Sequence, residues 1–342
     1  MKRNRNFFKL LVMLIFVATT FSFYGKNTRP YFVDARENQE QTSVEIEDIH
    51  GKVTVPVNPQ KVVALDNRTF DSLIAWGVKP VAVPKDVMPA DNAYVQDSSI
   101  ENIGNHREPN LEMIAALQPD LVIVGQRFAS YYDEIKELVP DAVVVDFSFD
   151  VSEEASEPGK ALVEGMKQST QALGKIFQKE KEAQSLCEAF DLAISQAQAA
   201  YNGEDKVMSL VVSGGDIGFA APGFGRVWGP IYQVLNWQPA LEVANESSDH
   251  KGDDISVEAI AQSKPDWLMV LDRDAAIQSN DEGAKPAKDV IEQSPALKDL
   301  QVVQEGHIYY APKSTYTDES IQTFTQIFEE IAQLMGASLE RN

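Results

Sequence analysis

From about residue 50 the chain alternates short apolar runs rich in β-branched residues with amphipathic stretches of helical period. VTVPVNPQKVVALD holds two such runs, TFDSLIAWGV predicts a helix stopped at Gly77, and KPVAVP predicts a strand. NLEMIAALQ, DLVIVG, YYDEIKELV and AVVVDF then read as helix, strand, helix and strand. Unbroken apolar runs mark strands covered on both faces, and helices between them predict a mainly parallel α/β sheet. Between Gly159 and Gly203 no strand pattern occurs. LVEGMKQSTQALG predicts one helix and KEKEAQSLCEAFDLAISQAQAAY a second, in which Ala183, Leu186, Phe190, Ile194 and Ala197 form an apolar stripe. At 1.5 Å per residue the second helix is roughly 35 Å long, enough to join two lobes. The alternation resumes with VMSLVVSG, helices near Gly229–Leu235 and Val257–Ser263, DWLMVLD, a helix near Lys288–Ile291, HIYYAP and a final helix from about Glu319 to Met335.

Two segments of this pattern are copies. QPDLVIVGQR ends in Arg127 and KPDWLMVLDR ends in Arg273, and a constant offset also carries Glu112, Ile114 and Ala115 onto Glu258, Ile260 and Ala261. The repeat is therefore one of lobes. The expected fold is α/β, two lobes each with a mainly parallel sheet flanked by helices, joined by one long rigid bridging helix. The boundaries read as a signal segment at 1–35, a flexible lead-in at 36–46, an N-terminal lobe at 47–175, the bridge at 176–202 and a C-terminal lobe at 203–342. Open parallel sheets bind ligands outside the carboxyl ends of their strands. Arg127 and Arg273 both lie just past such ends, so facing lobes would bring the two guanidiniums into one cleft.

Charge sharpens that expectation. The formal net charge is −22, which repels nucleic acid and anionic lipid. An anionic ligand would need a local basic site working against the global field. The first 25 residues combine Lys2, Arg3, Arg5 and Lys9 with an apolar stretch from Leu10 to about Phe23, the pattern of a secretory signal. Val33-Asp34-Ala35 offers a cleavage point far downstream, so the point of cleavage stays open, as does retention as an anchor. The single cysteine, Cys187, lies in a predicted helix, and no cysteine follows the apolar run, so lipid attachment there is not expected.

Catalytic patterns are thin, and no catalytic residue is assigned. VVSGGD has Val211 where a nucleophile elbow needs glycine. GGDIGFAAPGFG lacks the Lys-Ser/Thr of a phosphate loop. His50, His106, His250 and His307 show no zinc spacing. Arginines near predicted strand ends are more informative: Arg68, Arg127, Arg226 and Arg273. Guanidinium donates a planar fork of hydrogen bonds and stacks on aromatic faces, which suits planar, electron-rich anions. His250 and Tyr316 sit in polar loops, and imidazole with phenolate is a sensible pair for a hard ferric ion.

Taken together, VVALDNRTFDSLIAWGVKPVAV, IGNHREPNLEMIAALQPDLVIV, a bridging helix and ISVEAIAQSKPDWLMVLDRDAA resemble the periplasmic iron-siderophore and cobalamin binding proteins of ABC importers. GQRFASYYDEIKE, IGFAAPGFGRVWG, DHKGDDIS, VLDRDAA and YYAPKSTY make the catecholate-siderophore binders the nearest likeness. The resemblance implies the class III binding-protein fold and a periplasmic monomer. It implies no enzyme activity and no permanently bound cofactor, with a ferric siderophore as transported ligand and an inner-membrane ABC permease as partner. It gives Arg127, Arg226 and Arg273 the task of neutralising the chelate, makes His250 and Tyr316 candidate iron ligands, and adds Arg68 as an extra cation. Ser130 stands where the resemblance puts a further basic residue, which leaves the siderophore open. Glu112 and Glu258 match one permease-docking glutamate per lobe; without the resemblance, each reads equally well as an acid favouring a helix N-terminus. A haem or cobalamin carrier of the same fold is the alternative. A periplasmic metal-dependent hydrolase and a membrane-tethered sensor with an uncleaved signal remain open.

Overall fold

The computed structural model describes residues 42–339, except 153, 226, 244–251, 254 and 278–283. An antiparallel hairpin comes first, β1 (Ser43–Asp48) with β2 (Gly51–Pro56). The first sheet is fully parallel in the order β5-β4-β3-β6-β7, from β3 (Val62–Ala64), β4 (Ala82–Val83), β5 (Glu101–Asn102), β6 (Leu121–Val124) and β7 (Val143–Asp146). The second has the order β10-β8-β11-β12, from β8 (Lys206–Ser213), β10 (Gln238–Pro239), β11 (Trp267–Asp272) and β12 (Ile308–Tyr310). β9 (Asp216–Phe219) pairs antiparallel with β8 and makes that sheet mixed. Every residue of β6 is buried, as expected of a strand covered on both faces. No helix among the described residues is long and apolar enough to cross a membrane.

The 146-residue offset holds in three dimensions. Helix Leu111–Leu117 is capped by Asn110, whose side chain accepts from Met113 N; helix Val257–Ser263 is capped by Ser256, which accepts from Ala259 N. Both end on a left-handed residue, Gln118 and Lys264. Asp120 and Asp266, the acids of the two Pro-Asp pairs, each accept a backbone N–H from the neighbouring strand entry, Lys61 and Lys206. Ile114 and Ile260 fill the same place under the sheet and are fully buried.

Two expectations are corrected. Residues 43–46 belong to a strand and not to a flexible lead-in: SVEIED alternates exposed and buried positions, with Val44 and Ile46 in the first lobe's core. The helix that spans the two cores is Pro158–Ile176, ahead of the 176–202 stretch read from helix length. Its Leu162 and Met166 lie in the second lobe's core, while Ala172, Leu173 and Ile176 lie in the first. Its ends are tied to opposite lobes, Gly159 N to Gln233 Oε1 at 2.6 Å and Ile176 O to Asn58 N at 2.8 Å. Helix Glu180–Ala200 turns its apolar stripe onto helix Ile321–Leu339 and packs in the second lobe, with Phe190 against Phe328. Burial there also pushes the Cys187 thiol pKa up, as fits an inert core cysteine.

Candidate functional site

A cavity of about 330 Å³ opens between the lobes at the carboxyl ends of the strands. The first lobe lines it with Asp86, Val87, Met88, Asn105, His106, Arg107 and Arg127, and the second with Arg273, Ala276, Ile277, Tyr316 and Thr317. The two arginines that close the copied segments thus meet in one crevice.

Different local geometry delivers each of them. β6 stops at Val124 and the chain turns at Gly125, where a Cβ would stand 2.2 Å from Cγ of Asp66; only glycine lets the turn lie that close. Arg127 follows, and its Nη2 donates to the carbonyl of Tyr316 at 2.8 Å. β11 runs on to Asp272, whose carboxylate caps the next helix by accepting from Ala275 N and also accepts from Ala287 N. Arg273 is the first residue of that helix. The acids beside it are committed to backbone amides, Asp274 accepting from Gly214 N and Gly215 N. Its guanidinium donates to Ser213 Oγ at 3.1 Å, lies 5.4 Å from the centre of the Tyr316 ring, and makes no ion pair among the described residues. Its Nε is buried without a hydrogen-bond partner among them, an arrangement that invites an acceptor from a ligand. Tyr316, 5% exposed, is gripped from both sides, its carbonyl by one lobe's arginine and its ring by the other's.

Arg68 is corrected. It does not line the cavity but is buried in the seam beneath it, where the lobes touch. Its guanidinium stacks on Phe149 at 4.0 Å, donates to Gln126 Oε1 at 3.0 Å and pairs with Glu319 of the second lobe at 3.4 Å. An opposing carboxylate and an aromatic face offset its charge inside the protein, although its Nε and Nη1 are buried without a hydrogen-bond partner among the described residues. Around it, Asn67 Nδ2 donates to Asp318 O at 2.7 Å and Ser320 Oγ to Asp71 Oδ2 at 2.7 Å. Burial, opposed by the Arg68 charge, pushes the Asp66 carboxyl up to about 7. Asp318 is likewise raised, by burial first and then by the Asp71 carboxylate.

Arg226 and His250 lie outside the described residues. Ser130 is exposed and does not line the cavity. Glu112 and Glu258 are exposed in the first turns of their matching helices. Neither lines the cavity. Asp86, Asn105, His106 and Arg107 were not anticipated. For residues 105–107 the signal was present in NHRE, but the strand before it, β5, has two residues and is too short to mark a strand end by pattern; Asp86 follows β4, which is equally short.

A larger hollow of about 850 Å³ lies at the other end of the second sheet, lined by that lobe alone. Its Trp267 and His307 stack at 4.4 Å, and two of its carboxylates are already engaged, Asp205 by Trp267 Nε1 and Asp266 by Lys206 N. Nothing cationic from the first lobe reaches it. The interlobe cavity is the better candidate despite its smaller size.

The petrobactin-binding protein YclQ of Bacillus subtilis strain 168 is 26% identical over 328 residues, covering 95% of this chain and 97% of its own. The ferric-anguibactin-binding protein FatB of Vibrio anguillarum is 29% identical over 296 residues, covering 85% and 87%. The crystal structure of the periplasmic catecholate-siderophore binding protein VctP of Vibrio cholerae superposes with a TM-score of 0.71 at 26% identity, covering 85% of this chain and 99% of that one. The periplasmic binding protein family matches residues 62–315, from the start of β3 to the helix that bears Tyr316. That stretch takes in both sheets and, short of Tyr316 and Thr317, both walls of the cavity, and the chain belongs to the periplasmic binding protein family.

Proposed function

We propose that the protein captures a ferric siderophore, of catecholate type, in the interlobe cleft and hands it to an ABC permease for iron uptake. The observation that carries this reading is the meeting of Arg127 and Arg273 from opposite lobes around one cavity, in a chain of net charge −22. Only a ligand with strong local negative charge gains from that arrangement. A ferric catecholate is such a ligand, and its rings also offer faces on which guanidinium stacks. The relatives named for petrobactin, ferric anguibactin and catecholate siderophores support the ligand class.

In this reading Arg127 and Arg273 neutralise the chelate from the two walls, with Arg107 at the rim and Arg226 as a further cation. Tyr316 and His250 complete the iron's coordination where the chelate leaves positions open. The iron arrives and leaves as cargo, and no covalent step takes place. Export by the N-terminal segment, without lipid attachment because no cysteine follows its apolar run, brings the monomer to the periplasm. Glu112 and Glu258 then dock the two lobes on permease arginines.

Tryptophan-fluorescence titration with ferric and iron-free bis- and tris-catecholates, a ferric hydroxamate, haem and cobalamin tests the ligand class. The expected result is saturable quenching by the ferric catecholates alone. A flat response to them, with the hydroxamate, haem or cobalamin bound instead, would overturn the assignment.

A further inference from the structure

Tyr316 sits on a helix of only four residues, Thr315–Asp318. A single turn has almost no stability of its own, because nucleation fixes several residues for one hydrogen bond. Its end, Glu319, adopts a left-handed backbone (φ 54°), a conformation that a side chain other than glycine adopts at a cost. Its own lobe holds it through the Pro312 and Ser314 carbonyls and through the packing of the Tyr316 ring in the second core, and a row of further ties comes from the opposite lobe. Arg127 Nη2 binds the Tyr316 carbonyl and Asn67 Nδ2 binds the Asp318 carbonyl. Arg68 pairs with the Glu319 carboxylate, Asp71 accepts from Ser320 Oγ, and Ser72 Oγ accepts from Gln322 Nε2. In chain order the partners on the second lobe are 316, 318, 319, 320 and 322, and those on the first are 127, 67, 68, 71 and 72. The two strands of contacts form a stitched seam directly under the cavity.

We propose that Asn67 and Arg68 are positioning residues: by holding Asp318 and Glu319 from across the lobe boundary they aim the Tyr316 side chain into the ligand cavity. Arg68 therefore contributes to ligand affinity without touching ligand. Because the aim of Tyr316 is set by the opposite lobe, occupancy of the cavity and the relative placement of the lobes are coupled through this turn. The inference rests on the reading of Tyr316 as a ligand-facing group, while the placement of the ring can be measured without any ligand.

The test incorporates a fluorotyrosine at position 316 of the full chain and records its fluorine resonance in the unliganded protein. Arg68→Met and Asn67→Ala are compared with wild type. Asn67→Ala removes one hydrogen bond and no charge, so it decides the matter even where Arg68→Met fails to fold. Ile331→Ala, a core substitution in the second lobe, controls for general destabilisation. The expected result is a displaced or split resonance in both seam variants and an unchanged one in Ile331→Ala. An unchanged resonance in Asn67→Ala, or an equal displacement in Ile331→Ala, would overturn the proposal. With a ferric bis-catecholate added, the seam variants are expected to bind ~10-fold or more weakly, the scale on which partners behind a metal ligand act. Their charge-transfer band should move toward that of Tyr316→Phe. If wild type binds no ferric chelate, the functional reading falls while the fluorine result still decides the positioning role. If wild type binds and only Tyr316→Phe changes the band, the positioning role falls and the functional reading stands.

Discussion

Arg68 and Arg273 both follow a parallel strand at its carboxyl end, one in each lobe, and they have different fates. In the seam, Arg68 faces Glu319 and lies on Phe149, almost wholly out of water. At the cavity, Arg273 meets a serine hydroxyl and a tyrosine ring, and its neighbouring acids are turned onto backbone amides. The difference is what stands opposite. A guanidinium with a buried carboxylate partner is structural, because removing either member strands a charge. A guanidinium whose nearest acids are otherwise engaged keeps its field for a ligand. Position at a strand end makes an arginine a candidate; the disposition of carboxylates around it decides which use it serves.

The contrast predicts opposite responses to one substitution. Arg68→Met should lower unfolding stability by about 3–5 kcal/mol in urea denaturation, by removing the opposing charge from the buried Glu319 carboxylate, and Arg68→Met with Glu319→Gln should restore much of it. Arg273→Met should change stability by no more than ~1 kcal/mol, the scale of its one hydrogen bond among the described residues, to Ser213. Equal losses in the two variants would erase the distinction between seam and cavity.

A pH experiment sharpens the same distinction. Asp66, in the seam, has its carboxyl raised from 3.8 to about 7, so the native state holds a proton that the unfolded chain releases in between. Its contribution to stability is full below about 4 and is lost as pH rises through about 7, with a slope of at most about 1.4 kcal/mol per pH unit for one proton. Asp66→Asn should flatten the fall in stability between pH 5 and pH 7. A wild-type profile that rises over this range and is unaffected by the substitution would contradict the assignment.

The smallest effect on the isolated protein belongs to the exposed pair. Glu112→Gln with Glu258→Gln should alter stability by less than ~0.5 kcal/mol, as for most surface changes. The same variant should bind the ferric chelate as wild type does, yet stimulate the ATPase of the proposed ABC permease less. Undiminished stimulation would return both residues to the role of helix-start acids.

The copied segments were legible because the offset carries chemistry as well as hydrophobicity. Asn110 and Ser256 are cap residues, Pro-Asp recurs, and the apolar run between Asp and Arg is a buried strand in both copies. The first hairpin strand was missed because Glu45, Glu47 and Asp48 made SVEIED look solvated, although its alternation is that of a half-buried strand. The bridge was misassigned because length was used where packing decides. Helix Glu180–Ala200 is the longer, but Pro158–Ile176 is the one whose two ends carry apolar residues for two different cores. The pairing of Arg68 with Glu319 joins residues 251 positions apart, and no local pattern announces it.

The central claim, that guanidiniums from both lobes grip one anionic chelate, is tested most directly by equilibrium titration of a single ferric bis-catecholate. Wild type, Arg127→Met and Arg273→Met would be compared at fixed ionic strength. A unit charge pair 5 Å apart at an effective dielectric of 20 is worth about 3 kcal/mol, so each variant should bind roughly 100-fold more weakly. If either variant, folded as wild type, bound within twofold of wild type, that lobe's arginine would not be on the ligand and the two-walled site would be contradicted.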